Sequence, residues 1–490
     1  MVIVTGFIAG LLTFGAFAPI SFWWLAPVSI GLLLQALSDK TLLRRSTTVF
    51  CYGIGFFGPL LSWSNTYVGA LPWIFLVMLE ASLLLPIAFI PFSKQHPLRY
   101  FLLPSILVLT EAFSSRFPFG GFGWGRLGFS QADAPYSFIA RWGGVPALTF
   151  GVGLIALLIY FAFTHEFKNV VIVGGILIAI TPLSLPSVMH NPKISHLRTI
   201  VAIQGGVPSM GLNFNERARE VFTMHVKETE NFLSGTTHLP DFIVWPENSV
   251  DVDPFTDPIV NNDLRNLVDK WNIPLIIGTV LDEPRGFSNA SILWQPKVGP
   301  TSIYRKKHLT PFGEYIPWRN LSEIISPYAK NVVDFHPGKA LQVHHIGNAI
   351  VAPIICFELL DDSLGRSMSR LSNLLLVQTN SATFGRTAES KQQLEISRIR
   401  AIEHQKYIVS VSTTGVSAII NPKGQVLKET HLGAVTAFES HVGLIEGKSF
   451  SDRYGFWLEI TLAAAPLIWA IWVISAFRFR TSTRRRLAKK

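Results

Sequence analysis

Eight apolar runs, at about 3–20, 23–37, 47–64, 70–92, 101–113, 145–164, 170–186 and 456–477, constrain this chain more than any other feature of its sequence. A run of roughly 20 apolar residues crosses the ~30 Å hydrocarbon core of a bilayer as a helix, which satisfies its own backbone there. Residues 1–197 contain just five acids (Asp39, Glu80, Glu111, Asp133, Glu166) and ten bases, too few charges to keep the block in water. Several runs are short, and Pro19, Pro27 and Pro104 lie in or beside them, so the first two and the fifth are expected to tilt, kink or re-enter. The first run has no basic leader and a second follows almost at once, which reads as a retained span rather than a signal peptide.

The bases orient these spans. Lys40, Arg44 and Arg45 follow the second, Lys94 and Arg99 the fourth, Lys168 the sixth, and the basic tail the eighth. With eight crossings all four groups fall on one side, which the positive-inside bias makes cytoplasmic, with both termini. The connection between spans seven and eight, about 195–450, then lies outside the cytoplasm. So does the loop near 114–144, which carries the aromatic and glycine-rich stretch from Arg116 to Phe129. That stretch reads either as an interfacial aromatic belt or as part of a lipid-binding mouth.

The net charge of +10 does not call for nucleic acid, because Arg478, Arg480, Arg484, Arg485, Arg486, Lys489 and Lys490 contribute +7 of it immediately after an apolar run. Such a tail suits anionic lipid headgroups. The expected layout is therefore 1–194 with seven helices, a soluble domain at 195–450, an eighth helix at 451–477, and a cytoplasmic tail at 478–490.

Within the soluble block, short apolar runs predict strands near 199–204, 241–246, 274–280, 289–295, 349–355, 373–379, 407–413 and 417–421. Longer amphipathic stretches predict helices near 214–233, 258–271 and 387–404, giving a layered α/β domain. Asn421-Pro-Lys-Gly424 reads as a turn between two strands. No glycine pattern marks a dinucleotide or P-loop site, no His/Cys/Asp spacing suits a metal, and no cofactor is expected.

Only two cysteines are present, Cys51 in an apolar span and Cys356 in the outer domain, and they are not placed to pair. Cys356 ends the apolar run Ala352-Pro-Ile-Ile, where a sharp turn can present a nucleophile and offer the next N–H to an oxyanion. A buried core thiol is the other reading. Trp245-Pro-Glu247 puts a carboxylate just past a strand, and Tyr304-Arg-Lys306-Lys-His-Leu-Thr-Pro-Phe-Gly-Glu314 puts a cation in a polar link. Each alone is an ordinary loop or solvated face, but together they supply a base, a cation and a thiol, the parts that make and break a thioester.

In this order, Trp-Pro-Glu247, Tyr-Arg-Lys306 with Pro-Phe-Gly-Glu314, and Ile-Cys356-Phe-Glu358 resemble the nitrilase superfamily. With the surrounding spans, the whole chain resembles the bacterial apolipoprotein N-acyltransferases. The resemblance implies a membrane helical bundle plus an extracytoplasmic α-β-β-α sandwich, a Glu247-Lys306-Cys356 triad, and an inner-membrane location. It implies transfer of a fatty acyl chain from a phospholipid, through a cysteine thioester, to the N-terminal amine of a diacylglyceryl-cysteine lipoprotein. Lys306 rather than Lys307 matches the family's lysine, two residues after the tyrosine and eight before Glu314. Glu314, Glu358 and Phe357 are implied as supporting groups, and Phe357 stands where the family often has tyrosine. Phe214, Thr383, Phe384 and Trp124 are the expected substrate-binding residues, with Thr383 at a common tryptophan position. A monomer is expected.

Three other readings remain at this stage: a membrane-tethered amidase or nitrilase acting on a small amide, a lipid transporter with a binding module, and a Cys-His hydrolase using His308, His344 or His345. None of these histidines has a recognisable orienting partner in the sequence.

Overall fold

The computed structural model describes residues 2–38, 40–90, 99–180, 182, 192–209, 218–284, 286–325, 330 and 332–487. Its first part is helical: α1 (Val2–Phe14), α2 (Leu25–Leu37), α3 (Leu42–Leu60), the single turn α4 (Asn65–Val68), α5 (Ala70–Leu83), α6 (Arg99–Ser114), α7 (Ala140–Phe163) and α8 (Phe167–Ile180). Small residues let these helices approach closely. A Cβ at Gly10 would sit 2.1 Å from the Tyr52 carbonyl oxygen, so α1 lies directly on α3. Thr13 ties the same corner to α2, bonding Ser29 Oγ at 2.6 Å and Tyr52 Oη at 2.8 Å.

Each apolar run of the sequence contains a helix, but they differ in reach. Among the described residues, Ala70–Phe89, Ser137–Phe163 and Phe450–Trp472 are long and apolar enough to cross a membrane. Val2–Phe14, Leu25–Leu37, Leu102–Ser114 and Phe167–Ile180 are apolar but shorter. Thirteen residues, the length of α1 and of α2, rise only about 20 Å. α7 is not regular from its start, because Gly143 and Gly144 leave helical geometry. Gly144 takes φ +65 where a Cβ would meet the Glu403 carboxylate.

The second part is a sandwich of two six-stranded sheets. In chain order its elements are β1 (Ile194–Gln204), α9 (Glu220–Gly235), β2 (Phe242–Val244), α10 (Pro258–Trp271), β3 (Leu275–Glu283), β4 (Gly286–Gln295), β5 (Gly299–Arg305), α11 (Arg319–Ile325), β6 (His344–Ile346), β7 (Ala349–Ile355), α12 (Asp362–Leu371), β8 (Leu374–Thr379), α13 (Glu389–His404), β9 (Ile408–Ser412), β10 (Ala418–Ile420), β11 (Val426–Glu429), β12 (Thr436–Ile445) and α14 (Phe450–Leu487). The sheet orders are β12-β1-β2-β3-β4-β5 and β11-β10-β9-β8-β7-β6. β1, β2 and β3 run parallel, as do β7, β8 and β9.

The sheets meet through Ile200, Ala202, Val244 and Ile276 on one side and Val351, Leu374, Leu376 and Val409 on the other. α9 and α10 cover the outer face of the first sheet with Phe222, Leu233, Val260 and Leu264. α12 and α13 cover the second, and their core, with Met368, Ile399 and Ile402, is continuous with that of the membrane helices. Both faces of each central strand are therefore buried, as their unbroken apolar runs require.

Several elements depart from expectation. β5, β6, β12, α11 and α12 were not foreseen. β12 is half-exposed and interrupts its apolar residues with Glu439, Ser440 and His441, yet pairs antiparallel along β1. The helix expected near 214–233 begins at Glu220 among the described residues, and α14 runs as one helix from Phe450 to Leu487 rather than over 456–477.

Candidate active site

Three strand ends converge. Glu247 follows β2, Lys306 follows β5, and Cys356 follows β7, so the first sheet supplies the carboxylate and the cation and the second sheet supplies the thiol. Cys356 opens a 3-10 turn running to Leu360 and takes φ +50. A side chain in the left-handed region is strained, and the strain here aims the thiol away from the strand as the sequence anticipated. Glu358 holds that turn against the first sheet: its Oε2 accepts from the Ile355 N–H at 2.9 Å, while its Oε1 accepts from Tyr304 Oη and the Lys307 N–H, both at 2.7 Å.

Glu247 is buried and accepts a hydrogen bond from Asn289 Nδ2 at 2.6 Å and one from the Cys356 thiol. Lys306 Nζ lies 3.7 Å from its Oε1. Burial pushes the Glu247 carboxyl up to about 7, aided by Glu314 and opposed by Lys306, Asn289 and the thiol. This carboxylate is thus poised to exchange protons near neutral pH. Lys306 is almost wholly buried, yet Glu314, Glu247 and Cys356 together outweigh the burial that opposes its charge, so it stays an ammonium. Glu314 clamps it at 2.9 Å and 2.8 Å through its two oxygens and accepts from the Thr310 N–H at 2.7 Å.

The thiol itself is held well above its ordinary pKa, by burial and the Glu247 charge, with Lys306 pulling the other way. Lys306 favours the thiolate as expected, but does not win: at rest Cys356 is a neutral thiol bonded to Glu247. Gln393 also donates towards it, with Nε2 3.7 Å from Sγ.

The membrane half builds one wall. Phe122 stacks on Phe357 with ring centroids 6.0 Å apart and on Trp124 at 6.2 Å. Trp63 meets Trp124 at 4.8 Å and Phe384 edge-on at 4.9 Å. The indoles of Trp63 and Trp124 both donate to Gln392 Oε1, at 3.1 Å and 2.7 Å. The aromatic loop therefore divides: Phe122 and Trp124 turn inward under the Cys356 turn, and Phe117 stays exposed. Thr383 is half-buried in the turn Ala382–Phe384. Phe214 lies outside the described residues.

Asn289, Gln392, Gln393 and Trp63 were missed. Asn289 is the one side-chain amide inside the buried part of β4, between Ser288 and Ser291, which was its signal. His308 does have an orienting partner, Asp361, 2.6 Å from its Nδ1, which corrects the expectation that it has none. His344 is buried between Ser291 and Ser302 and is structural.

A carboxylate, an ammonium and a thiol at the strand ends of an α-β-β-α sandwich define a nitrilase-like domain, here set on membrane helices, and residues 241–437 match the carbon-nitrogen hydrolase family. Residues 9–158 match the apolipoprotein N-acyltransferase N-terminal domain. An apolipoprotein N-acyltransferase of Mycolicibacterium smegmatis is 30% identical over 95% of this chain and 82% of its own length. One of Photobacterium profundum is 27% identical over 92% and 90%. A Saccharomyces cerevisiae crystal structure from branch 10 of the nitrilase superfamily aligns with 51% of this chain and 91% of its own at 15% identity and a TM-score of 0.40. The chain belongs to the apolipoprotein N-acyltransferase family and is an acyltransferase.

Proposed function

We propose that Cys356 carries a fatty acyl chain from a phospholipid to the N-terminal amine of a diacylglyceryl-cysteine lipoprotein. The observation that carries this reading is the thiol hydrogen-bonded to a buried, near-neutral carboxyl under an aromatic wall built by the membrane half. In the first step Sγ attacks the donor's ester carbonyl while Glu247 takes the thiol proton. Lys306 and the Phe357 N–H face the oxyanion, where one such donor is typically worth about 3–4 kcal/mol of barrier. The tetrahedral adduct collapses with loss of the lipid alkoxide, which recovers the proton from Glu247 and leaves as lysophospholipid.

In the second step the acceptor amine attacks the thioester, Glu247 takes a proton from nitrogen, and Sγ recovers it as the C–S bond breaks. Glu314 and Glu358 hold Lys306 and the catalytic turn, while Phe357, Phe384, Thr383, Trp124 and Phe214 shape the substrate mouth. Excluding water from the thioester favours transfer over hydrolysis. The protein works as a monomer in the bacterial inner membrane, crossing it eight times, with residues 195–450 extracytoplasmic between the seventh and eighth helices and both termini cytoplasmic.

Intact-mass measurement of detergent-purified protein and its Cys356→Ser variant, after incubation with phospholipid alone, tests this reading. A fatty-acyl increment on the wild type, absent from C356S and released by neutral hydroxylamine, is expected. Lipid-bound, folded protein that never acquires the increment would sink the transferase mechanism in favour of an amidase.

A further inference from the structure

α13 starts beside the thiol. Gln393 directs Nε2 at Cys356 Sγ from 3.7 Å, and Glu389 precedes it by four residues on the same helix, so both side chains leave the same face. Glu389 is only 1% exposed and accepts a hydrogen bond from the Ser381 hydroxyl. Its Oε2 has no hydrogen-bond partner among the described residues. Its charge acts on the Cys356 thiol, and that of Glu247 acts on it in turn. Lys306 is already held by Glu314 and Glu247, which leaves the Glu389 carboxylate for a cation from outside. A buried carboxylate oxygen left unpaired next to a nucleophile is costly unless a ligand completes it.

Resting on the transferase mechanism above, we propose that Glu389 is the subsite for the acceptor's α-ammonium, pairing with the cationic nitrogen and taking the proton it sheds before attack. An α-amine near neutral pH is largely an ammonium, with no lone pair for the thioester. Three protons on nitrogen must be placed. One passes to Glu389 and frees the lone pair. One passes to Glu247 as the N–C bond forms and then to Sγ as the C–S bond breaks. The third stays on the product amide, and Glu389 returns its proton to water. Burial pushes the Glu389 carboxyl up to about 8, eased by Ser381 and reinforced by Glu247. The rise brings the carboxyl towards the range in which an α-amine titrates, so a proton can pass from the bound ammonium to it. The first step, with a neutral ester as electrophile, has no use for this second carboxylate.

The test loads wild-type and Glu389→Gln full-length protein with acyl chain from phospholipid, and reads adducts by intact mass. Each acyl-enzyme is then discharged by a diacylglyceryl-cysteine peptide and, separately, by hydroxylamine, which is uncharged at neutral pH. The ratio of peptide to hydroxylamine discharge rates is expected to fall about tenfold or more in E389Q. An unchanged ratio overturns the assignment, as does loss of acylation in E389Q alone, which would make Glu389 part of the first step. Failure of the wild type to acylate overturns the transferase mechanism and takes this subsite with it. Should E389Q not fold, Ser381→Ala, which strips the carboxylate of its hydroxyl donor, is read by the same ratio. A shift against the peptide supports the subsite, and no shift overturns it.

Discussion

α10, on the first sheet, buries Val260, Leu264, Leu267 and Val268 and leaves its other side to water, whereas α13, on the second sheet, buries thirteen of its sixteen residues. Glu389, Gln392, Gln393, Arg400 and Glu403 are among those thirteen. α10 holds on through an apolar stripe, the ordinary solution for a surface helix. α13 adds to its own apolar residues, Leu394, Ile396, Ile399 and Ile402, a set of complementary polar partners, some of them from the helical half. Gln392 accepts from two indoles and donates to the carbonyls of Ala18 and Leu60, both at 3.2 Å. Arg400 pairs with Asp362 at 2.7 Å and with Glu403 at 2.5 Å, and Asp362 pairs with Arg126 of the aromatic loop at 2.8 Å. The water-facing sheet thus carries Glu247 and Lys306, and the sheet packed on the helical half carries Cys356, locked to those helices.

The contrast can be broken experimentally. The largest effect belongs to chemistry on the water-backed sheet: Glu247→Gln keeps the volume but removes the base, and acylation followed by quenched intact mass is expected to slow by about 10²–10⁴-fold. In the wild type the carboxyl sits near 7 because burial raises it, so the active carboxylate is lost as pH falls through that value. Acylation is then expected to drop about tenfold per unit below it, a slope that E247Q lacks.

On the other sheet the largest loss is in stability. Arg400→Met leaves Asp362 and Glu403 with less charge compensation inside the protein, and detergent-phase unfolding is expected to show a loss of about 3–5 kcal/mol. A loss under 1 kcal/mol would mean that the α13 network is no more than a surface pairing. Gln392→Ala strands two indole donors, and about 1–3 kcal/mol is expected to go, together with part of the acylation rate, since Trp124 and Phe122 back the catalytic turn. The smallest effect belongs to α10: Lys270 pairs with Glu230 at 2.7 Å with both side chains largely in water, so Lys270→Met is expected to cost less than about 1 kcal/mol. A larger cost there would erase the difference between the two layers.

Much of this was legible in the residues. The apolar runs located the helices because hydrocarbon tolerates no other solution for an isolated segment. The family resemblance, not the residues alone, picked Lys306 over Lys307; the structure buries Lys306 between Glu247 and Glu314 while Lys307 reaches the Lys339 carbonyl at 3.4 Å. The strand-end position of Cys356 implied a sharp turn, which its positive φ now displays. α12 was passed over although Leu364, Met368 and Leu371 stand at helical spacing behind the Asp361 cap, because its ten residues hold only those three large apolar side chains among serines and arginines. Glu389 and Gln392 were passed over because polar residues on a helix ordinarily face water.

Hydropathy and strand ends are local properties, so the residues alone set the division into an apolar helical half and an α/β domain and the order of carboxylate, lysine and cysteine along the chain. Which polar groups lie inside was settled by packing. Whether Gln392 is a solvated side chain or the acceptor for two tryptophans depends on residues more than 260 positions away, and Arg126 finds Asp362 across 236 positions. Hydrogen bonds and ion pairs are short-ranged and directional, so their partners exist only once the two halves are packed together.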